Sequence, residues 1–382
     1  MPWSLIFGHL RANKLRTALT GGSVVIAIFL YCFLQTFLTT LTIVGNTGDA
    51  QRLITASAVS LFQTLPRSAI EKIKAARIPG VRDLGWWNWF DGVYIDPKNF
   101  FARFAVDVPA LRQQYSREFQ MSEAAWTRFQ QERKSCVIGR GLAARYQLGI
   151  DSTLVLEGTI YPGTYSFTVA GIYTSGNPAY DEESMYFHWD YVNDTIGQPN
   201  LIGMITVRIE DASKAPEICD RIDELFRNTN SRTLTQPEAA FSAQFISMWG
   251  NVGLLFEFIG GAVLFATFMI TLNTMLLAIK ERVREIGVLK TLGFRRATLG
   301  WLYVAESTLL CGGAALLGIA LARGLFHGQT IVFGTVILPS FLCTDGTIGR
   351  ALLLGALLAG ISGLAPALYA RHLPIVRAMR LD

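Results

Sequence analysis

Charge and histidine are both scarce in this chain. Asp, Glu, Lys and Arg make up 16% of its 382 residues, and there are four histidines; soluble domains carry about 25% charged residues. With 51% hydrophobic residues and a mean hydropathy of +0.33, the composition excludes an ordinary soluble protein. Enough charge remains to exclude a bare membrane bundle, so membrane segments plus one soluble domain are expected. No G-x-x-x-x-G-K-[ST] loop occurs, so these residues hold no phosphate cradle with its lysine. No G-x-S-x-G elbow and no H-E-x-x-H helix occurs either, which removes the common hydrolase signatures. The five cysteines (Cys32, Cys136, Cys219, Cys311 and Cys343) show no CxxC or Cys/His spacing, which argues against zinc. Cys136 and Cys219 share the soluble stretch, where an oxidising compartment would allow a pair that spacing alone does not fix.

Long apolar runs are what the chain has in abundance. A helix needs about 20 apolar residues to cross about 30 Å of hydrocarbon, and four stretches qualify: residues 19–44, 252–279, 299–322 and 351–369. The first has no charge; the second carries Glu257 near its start and the third is interrupted by Glu306. Arg11, Lys14 and Arg16 precede the first run, but that run is longer than a signal-peptide core and no A-x-A site follows, so it reads as a retained anchor. Residues 330–343 are apolar, short and contain Pro339; a re-entrant or interfacial loop is expected there, within an extracytoplasmic segment 323–350.

Lysine and arginine in short flanks set orientation. They gather in the N-terminal segment 1–18, in the loop 280–298 (Lys280, Arg282, Arg284, Lys290, Arg295, Arg296) and in the tail 370–382. Four spans place all three on one side, read as cytoplasmic, with residues 45–251 extracytoplasmic. In that inserted stretch Asp and Glu slightly outnumber Lys and Arg. The net charge of +5 therefore belongs to the membrane face and to contact with lipid, and a nucleic-acid partner is excluded.

The inserted stretch is long enough for its own core, or for two small subdomains. Arg67–Arg77 and Ala212–Asn228 have helical spacing, with Ile218, Ile222, Leu225 and Phe226 on one face of the latter. Gly92–Ile95, Thr153–Leu156, Ser166–Ile172 and Gly203–Ile209 read as strands, giving a mixed α+β order. His188 stands alone among Asp181, Glu182, Glu183 and Asp190, the composition of a solvated loop more than of a metal or acid–base site. Trp86, Trp87, Trp89 and Phe90 suit either a core or a lipid- or glycan-binding belt. No catalytic residue and no metal ligand is assigned.

The loop Lys280–Arg296 (KERVREIGVLKTLGFRR) is the most informative stretch. Arg282, Glu285 and Leu289 fall on one helical face and Val283, Ile286 and Lys290 on another, the pattern of a short amphipathic helix along a membrane surface. Gly287 permits close approach of a backbone, and Gly293 is placed to stop the helix.

The pattern E-R-x-R-E-I-G-x-L-K-x-L-G-F, followed by the intramembrane Glu306, resembles the FtsX/MacB-type permeases of ABC transporters, the type VII or mechanotransmission class. Leu10–Leu19 is similar to that family's N-terminal amphipathic helix. Cys136–Asp151 with Phe167–Tyr173 is similar to its periplasmic core domain, and Pro366–Arg380 to its closing segment, with Met379 where leucine is usual. The resemblance implies an α-helical membrane protein with four transmembrane helices and an inserted α+β, MacB-like periplasmic core domain, in a bacterial inner membrane. It implies that Arg282, Arg284, Glu285, Gly287, Lys290 and Gly293 sit in or beside a coupling helix that docks on an ABC ATPase subunit. ATP and Mg would be bound by that partner, with no cofactor here. A homodimer or a heterodimer with a similar permease is implied, working in export or extrusion with a periplasmic adaptor and outer-membrane channel as further partners. Lipoprotein release and regulation of a cell-wall hydrolase are the alternative roles. Glu306 is either a buried structural acid or part of substrate handling.

Overall fold

A computed structural model describes residues 13–45, 48–176, 182–247, 251–326, 329–333, 336–341 and 343–372. The chain divides into two compact units, Met1–Thr39 with Asn251–Gln329 and Phe341–Asp382, and Thr40–Gly250 with Thr330–Ser340. The first helix, α1 (Lys14–Gly45), starts five residues before the uncharged run, so Lys14 and Arg16 form its first turn. Residues 1–12 of the expected N-terminal amphipathic helix lie outside the described residues.

The inserted unit follows, with strands β1 (Arg52–Ser57) and β2 (Leu65–Pro66), helix α2 (Ser68–Ala76), and strands β3 (Val81–Trp89), β4 (Gly92–Val93) and β5 (Arg103–Val106). Helices α3 (Val108–Tyr115) and α4 (Glu123–Gln131) precede β6 (Ser135–Gly139), α5 (Arg140–Tyr146), β7 (Thr153–Gly158), β8 (Gly163–Tyr173) and β9 (Met185–His188). The unit closes with α6 (Trp189–Thr195), β10 (Leu201–Ile202), β11 (Met204–Ile209), α7 (Ala215–Phe226), β12 (Thr233–Pro237) and α8 (Glu238–Ser247).

Ten strands form one sheet in the order β12-β1-β11-β3-β5-β9-β6-β8-β7-β4. Pairing is antiparallel except between β5 and β9 and between β6 and β8. Alternation along the strands feeds two cores, because successive side chains take opposite faces. Met185 and Phe187 join one cluster with Leu53, Phe90, Phe167 and Ile222, while Tyr186 joins the other with Leu111, Phe119 and Phe129. The sheet is thus covered on both sides, which is why β1 and β6 are buried throughout. The tryptophan run is largely core: Trp86 and Phe90 are buried, half-buried Trp87 packs against Phe104 and Tyr115, and Trp89 is exposed.

Two sequence expectations fail here. His188 is buried, its Nε2 is 2.5 Å from the Phe129 carbonyl, and its ring meets that of Phe129 edge-on. The neighbouring acids suggested solvent, but β9 lies in the middle of the sheet and carries His188 inside. Burial lowers its pKa, which favours the neutral imidazole. Residues 330–343 were expected to form a loop, yet β13 (Gln329–Phe333) and β14 (Val336–Phe341) pair as a two-stranded sheet; β-branched residues outweigh Pro339. Cys136 and Cys219 are free and buried.

The remaining helices are α9 (Val252–Glu281), α10 (Val283–Thr291), α11 (Arg296–Ser307), α12 (Gly313–Phe326) and α13 (Asp345–His372). Among the described residues, four segments are long and apolar enough to cross a membrane: Lys14–Ile43, Val252–Glu281, Ala297–Phe326 and Asp345–His372. The third joins α11 to α12 through a π-turn, Thr308–Gly312. Against it lies a row of small residues on α13: Ala351, Gly355, Ala359, Gly363 and Ala367, spaced by four and all buried. A Cβ on Gly355 would stand 2.6 Å from Ala315 Cβ, and one on Gly363 3.0 Å from Ser307 Cβ. Ser307 Oγ donates to the Ala359 carbonyl at 2.9 Å. Close approach through small residues is how helices associate where lipid removes any hydrophobic drive between them.

Candidate coupling site

Helix α10 begins where α9 breaks. Arg282, at φ −104° and ψ 18°, ends α9 with its amide on the Ile279 carbonyl, and its own carbonyl accepts from the Ile286 amide. The chain bends at this residue, and α10 leaves with a new axis. Its far end closes at Gly293, which adopts φ +89°. There the Gly293 amide donates to Lys290 O and the Phe294 amide to Leu289 O, both at 3.2 Å, a Schellman motif that needs the left-handed conformation glycine allows.

Three polar ties fix this end of the bundle. Arg282 NH1 donates to Glu306 Oε1 of α11 at 3.3 Å, with both side chains nearly buried. Lys290 Nζ donates to the Arg371 carbonyl at 3.4 Å, placing a cation on the last turn of α13 where the helix dipole favours one. Arg16 of α1 holds Glu281 of α9 with NH2 at 2.6 and 2.7 Å from the two carboxylate oxygens. Between the ties lies an apolar cluster of Ile279, Val283, Ile286, Leu299, Tyr303, Ala367 and Ala370.

The buried stripe of α10 is therefore Val283, Ile286 and Gly287, flanked by Arg282 and by half-buried Leu289 and Lys290. Arg284, Glu285, Val288 and Thr291 face outward, continued by Leu292, Phe294 and Arg295 beyond the helix. Of the six residues placed in the contact from sequence, Arg284 and Glu285 lie on the outward face. Arg282, Gly287, Lys290 and Gly293 hold the helix in place or shape its ends. Glu306 is the anchor for Arg282. The Arg16–Glu281 pair was not foreseen; its signal, a basic residue ahead of one span and an acid at the end of another, is common to many membrane proteins.

The inserted unit has its own polar centre. Arg52 is fully buried; its Nε donates to Glu238 Oε2 at 2.8 Å, NH1 to the Gln114 carbonyl at 2.8 Å and NH2 to Glu118 Oε1 at 2.7 Å. Its guanidinium lies 4.0 Å over the Tyr115 ring, and Tyr115 OH donates to Glu238 Oε1 at 3.1 Å. The first strand, α3 and the start of α8 meet there, so the points where the chain enters and leaves the unit are joined. A cleft of about 600 Å³ opens between α3 and α4, floored by Phe119, Met121 and Trp126, with Arg112 neutralised by Glu123. Among the described residues no group of three or more His, Cys, Asp or Glu is placed to hold a metal ion.

The profile of the MacB-like periplasmic core domain matches residues 17–225, more than half of the chain. The chain belongs to that family. The profile of the FtsX-like permease C-terminal region matches residues 257–375, so the FtsX/MacB permease pattern runs through both units.

Among its relatives, the macrolide export ATP-binding/permease protein MacB of Agrobacterium fabrum is 26% identical over 235 residues, which are 58% of this chain and 34% of that protein. An uncharacterized ABC transporter permease of Methanocaldococcus jannaschii is 24% identical over 323 residues, covering 81% of this chain and 79% of that one. The crystal structure of the periplasmic region of MacB from Actinobacillus actinomycetemcomitans aligns with 53% of this chain and 93% of that structure, at 11% identity and a TM-score of 0.35. The chain spans about a third of the MacB relative's length.

Proposed function

We propose that this permease transmits ATP-driven motion from a separate ATPase subunit to its inserted domain, for export or extrusion of a substrate. The observation that carries the reading is the mounting of α10. One face is sunk in an apolar cluster and tied through Arg282 to α11 and through Lys290 to α13. The other presents Arg284, Glu285, Val288 and Leu292 outward. A helix held this way cannot yield to a push without displacing the spans beneath it, and Arg284 and Glu285 offer charge-assisted bonds to a docking partner. The basic flanks support a topology with α10, residues 1–18 and residues 370–382 on the cytoplasmic side and the inserted domain outside, in our reading at a bacterial inner membrane. Scarce charge within the spans argues for a lever over a polar conduit, which would require ionisable residues in the membrane.

The test is copurification with the cognate ATPase and ATPase activity in nanodiscs. Val288→Asp and Leu292→Asp, both on the outward face, should abolish ATPase capture while the chain remains folded and membrane-inserted. Unchanged capture and unchanged ATP-dependent transport in both variants would remove α10 as the docking element.

A further inference from the structure

The two edges of the ten-stranded sheet are finished differently. At β12 the Thr235 amide donates to Asp223 Oδ2 at 2.9 Å, and the hydroxyls of Thr233 and Thr235 donate to Asp223 Oδ1 at 2.8 and 2.7 Å. A carboxylate from α7 thus occupies that edge, one of the ways sheets avoid unwanted pairing. At the opposite edge β4 covers β7 only at Glu157 and Gly158. Beyond Val93 the chain turns away, with the Asp96 amide donating to the Tyr94 carbonyl at 2.6 Å around Ile95 at φ +62°. This is a γ-turn in a conformation costly for a β-branched residue, and it leaves the rest of β7 uncovered.

The ladder shows which groups are left. The Val169 amide donates to the Ser152 carbonyl at 2.9 Å, and the Thr159 amide donates to the Asp91 carbonyl at 3.1 Å. Residues of an antiparallel strand bond alternately to its two sides, and Thr153 stands opposite Thr168, and Val155 opposite Ser166. Both bonds give the same parity: the N–H and C=O of Thr153 and Val155 point away from β8, to the open side. Among the described residues no strand pairs with them there. Around this edge stand four exposed branched aliphatics, Ile95, Ile150, Val155 and Ile160. The charges beside it are mainly acidic: Asp91, Asp96 and Glu157 against Lys98.

We propose that the β7 edge accepts an extended segment of another protein as an added strand, and that this segment is cationic and rich in branched aliphatic residues. Backbone bonds to Thr153 and Val155 would hold it, its apolar side chains would cover Val155 and Ile95, and its cations would face Glu157 and Asp96. A second copy of this chain fits poorly: antiparallel pairing centred on Leu154 would need the edge at Glu157, which β4 already covers in each copy. The inference stands apart from the transport reading, since it concerns only the sheet edge.

The experiment uses the full chain in detergent and a blocked, fluorescein-labelled peptide, Lys-Val-Lys-Val-Lys-Val. Fluorescence anisotropy should show binding, and hydrogen exchange should slow at the Thr153 and Val155 amides. The same peptide with alternate amides N-methylated, and a Glu-Val version, should each bind at least about tenfold more weakly. Val155→Pro deletes an outward N–H that the β8 ladder does not use and should weaken binding similarly. The peptide controls keep the test valid if that variant misfolds. Binding indifferent to N-methylation, protection at other amides, no binding at millimolar peptide, or self-association through β7 would each overturn the proposal.

Discussion

Arg52 and Glu238 lie 186 residues apart and meet in a buried hydrogen bond of 2.8 Å. The bond joins the first strand of the inserted domain to the helix that leaves it. The Glu238 carboxylate also accepts from Tyr115 and from the Asp49 amide, so both oxygens are used.

Arg52→Ala should leave Glu238 and Glu118 buried without their cation. Breaking a buried pair by removing one partner costs about 3–5 kcal/mol. Hydrogen exchange of β1 and β12 in the full chain should accelerate accordingly, and Arg52→Met combined with Glu238→Gln should recover part of the loss.

Asp107 stands at the N-cap position of α3, and burial pushes its carboxyl up to about 6, opposed by the Ala110 amide and aided by the charges of Asp83 and Asp190. In the unfolded chain it titrates near 3.8, so between the two values the folded state holds more protons. Stability from this group is then full below about pH 4 and is lost as pH rises through about 6. Asp107→Asn, which keeps the side chain's shape without its titration, should stabilise the domain at pH 7.5 by on the order of 1–2 kcal/mol and have little effect at pH 4. Thermal unfolding of the two forms at both pH values checks the sign.

Glu306→Ala should release Arg282 and free the first turn of α10 from α11. The loss expected for a broken buried pair is about 3–5 kcal/mol, whereas Arg282→Met with Glu306→Met should be milder than either single change. A double-mutant cycle on detergent thermostability measures the coupling.

Gly355→Val should part α13 from α12, because a Cβ there already meets Ala315 at 2.6 Å. Gly349 lies on the same helix with open space around its Cβ position, and Gly349→Val serves as the control. A large drop in thermostability for the first variant and little for the second is expected, read by size-exclusion chromatography after heating.

The spans and the mixed order of the inserted domain were legible because length and periodicity are local signals. Helix spacing at 67–77 and alternation at 153–156 survive as α2 and β7. Sheet order, the Arg52 cluster and the burial of His188 were not legible, since each depends on pairings between distant strands. Within α10 the sequence pattern identified the helix and its glycine stop. It set Arg282 and Glu285 on one face, whereas Arg282 stands outside α10 as its N-cap and is buried while Glu285 is exposed. The small-residue row at 351–367 was present as a four-residue spacing and went unread.

Strand β1 lies between β11 and β12, with Arg52 opposite Arg208 and Ser57 opposite Thr233. The first strand of this sheet to be made thus lies between two others, and those neighbours are the last strands of the sheet to be synthesised. The sheet can reach its final order only after the residues through β12 have been made. Until then Leu53 and Ile54 lack the partners that bury them, and the nascent domain is open to pairing with other chains.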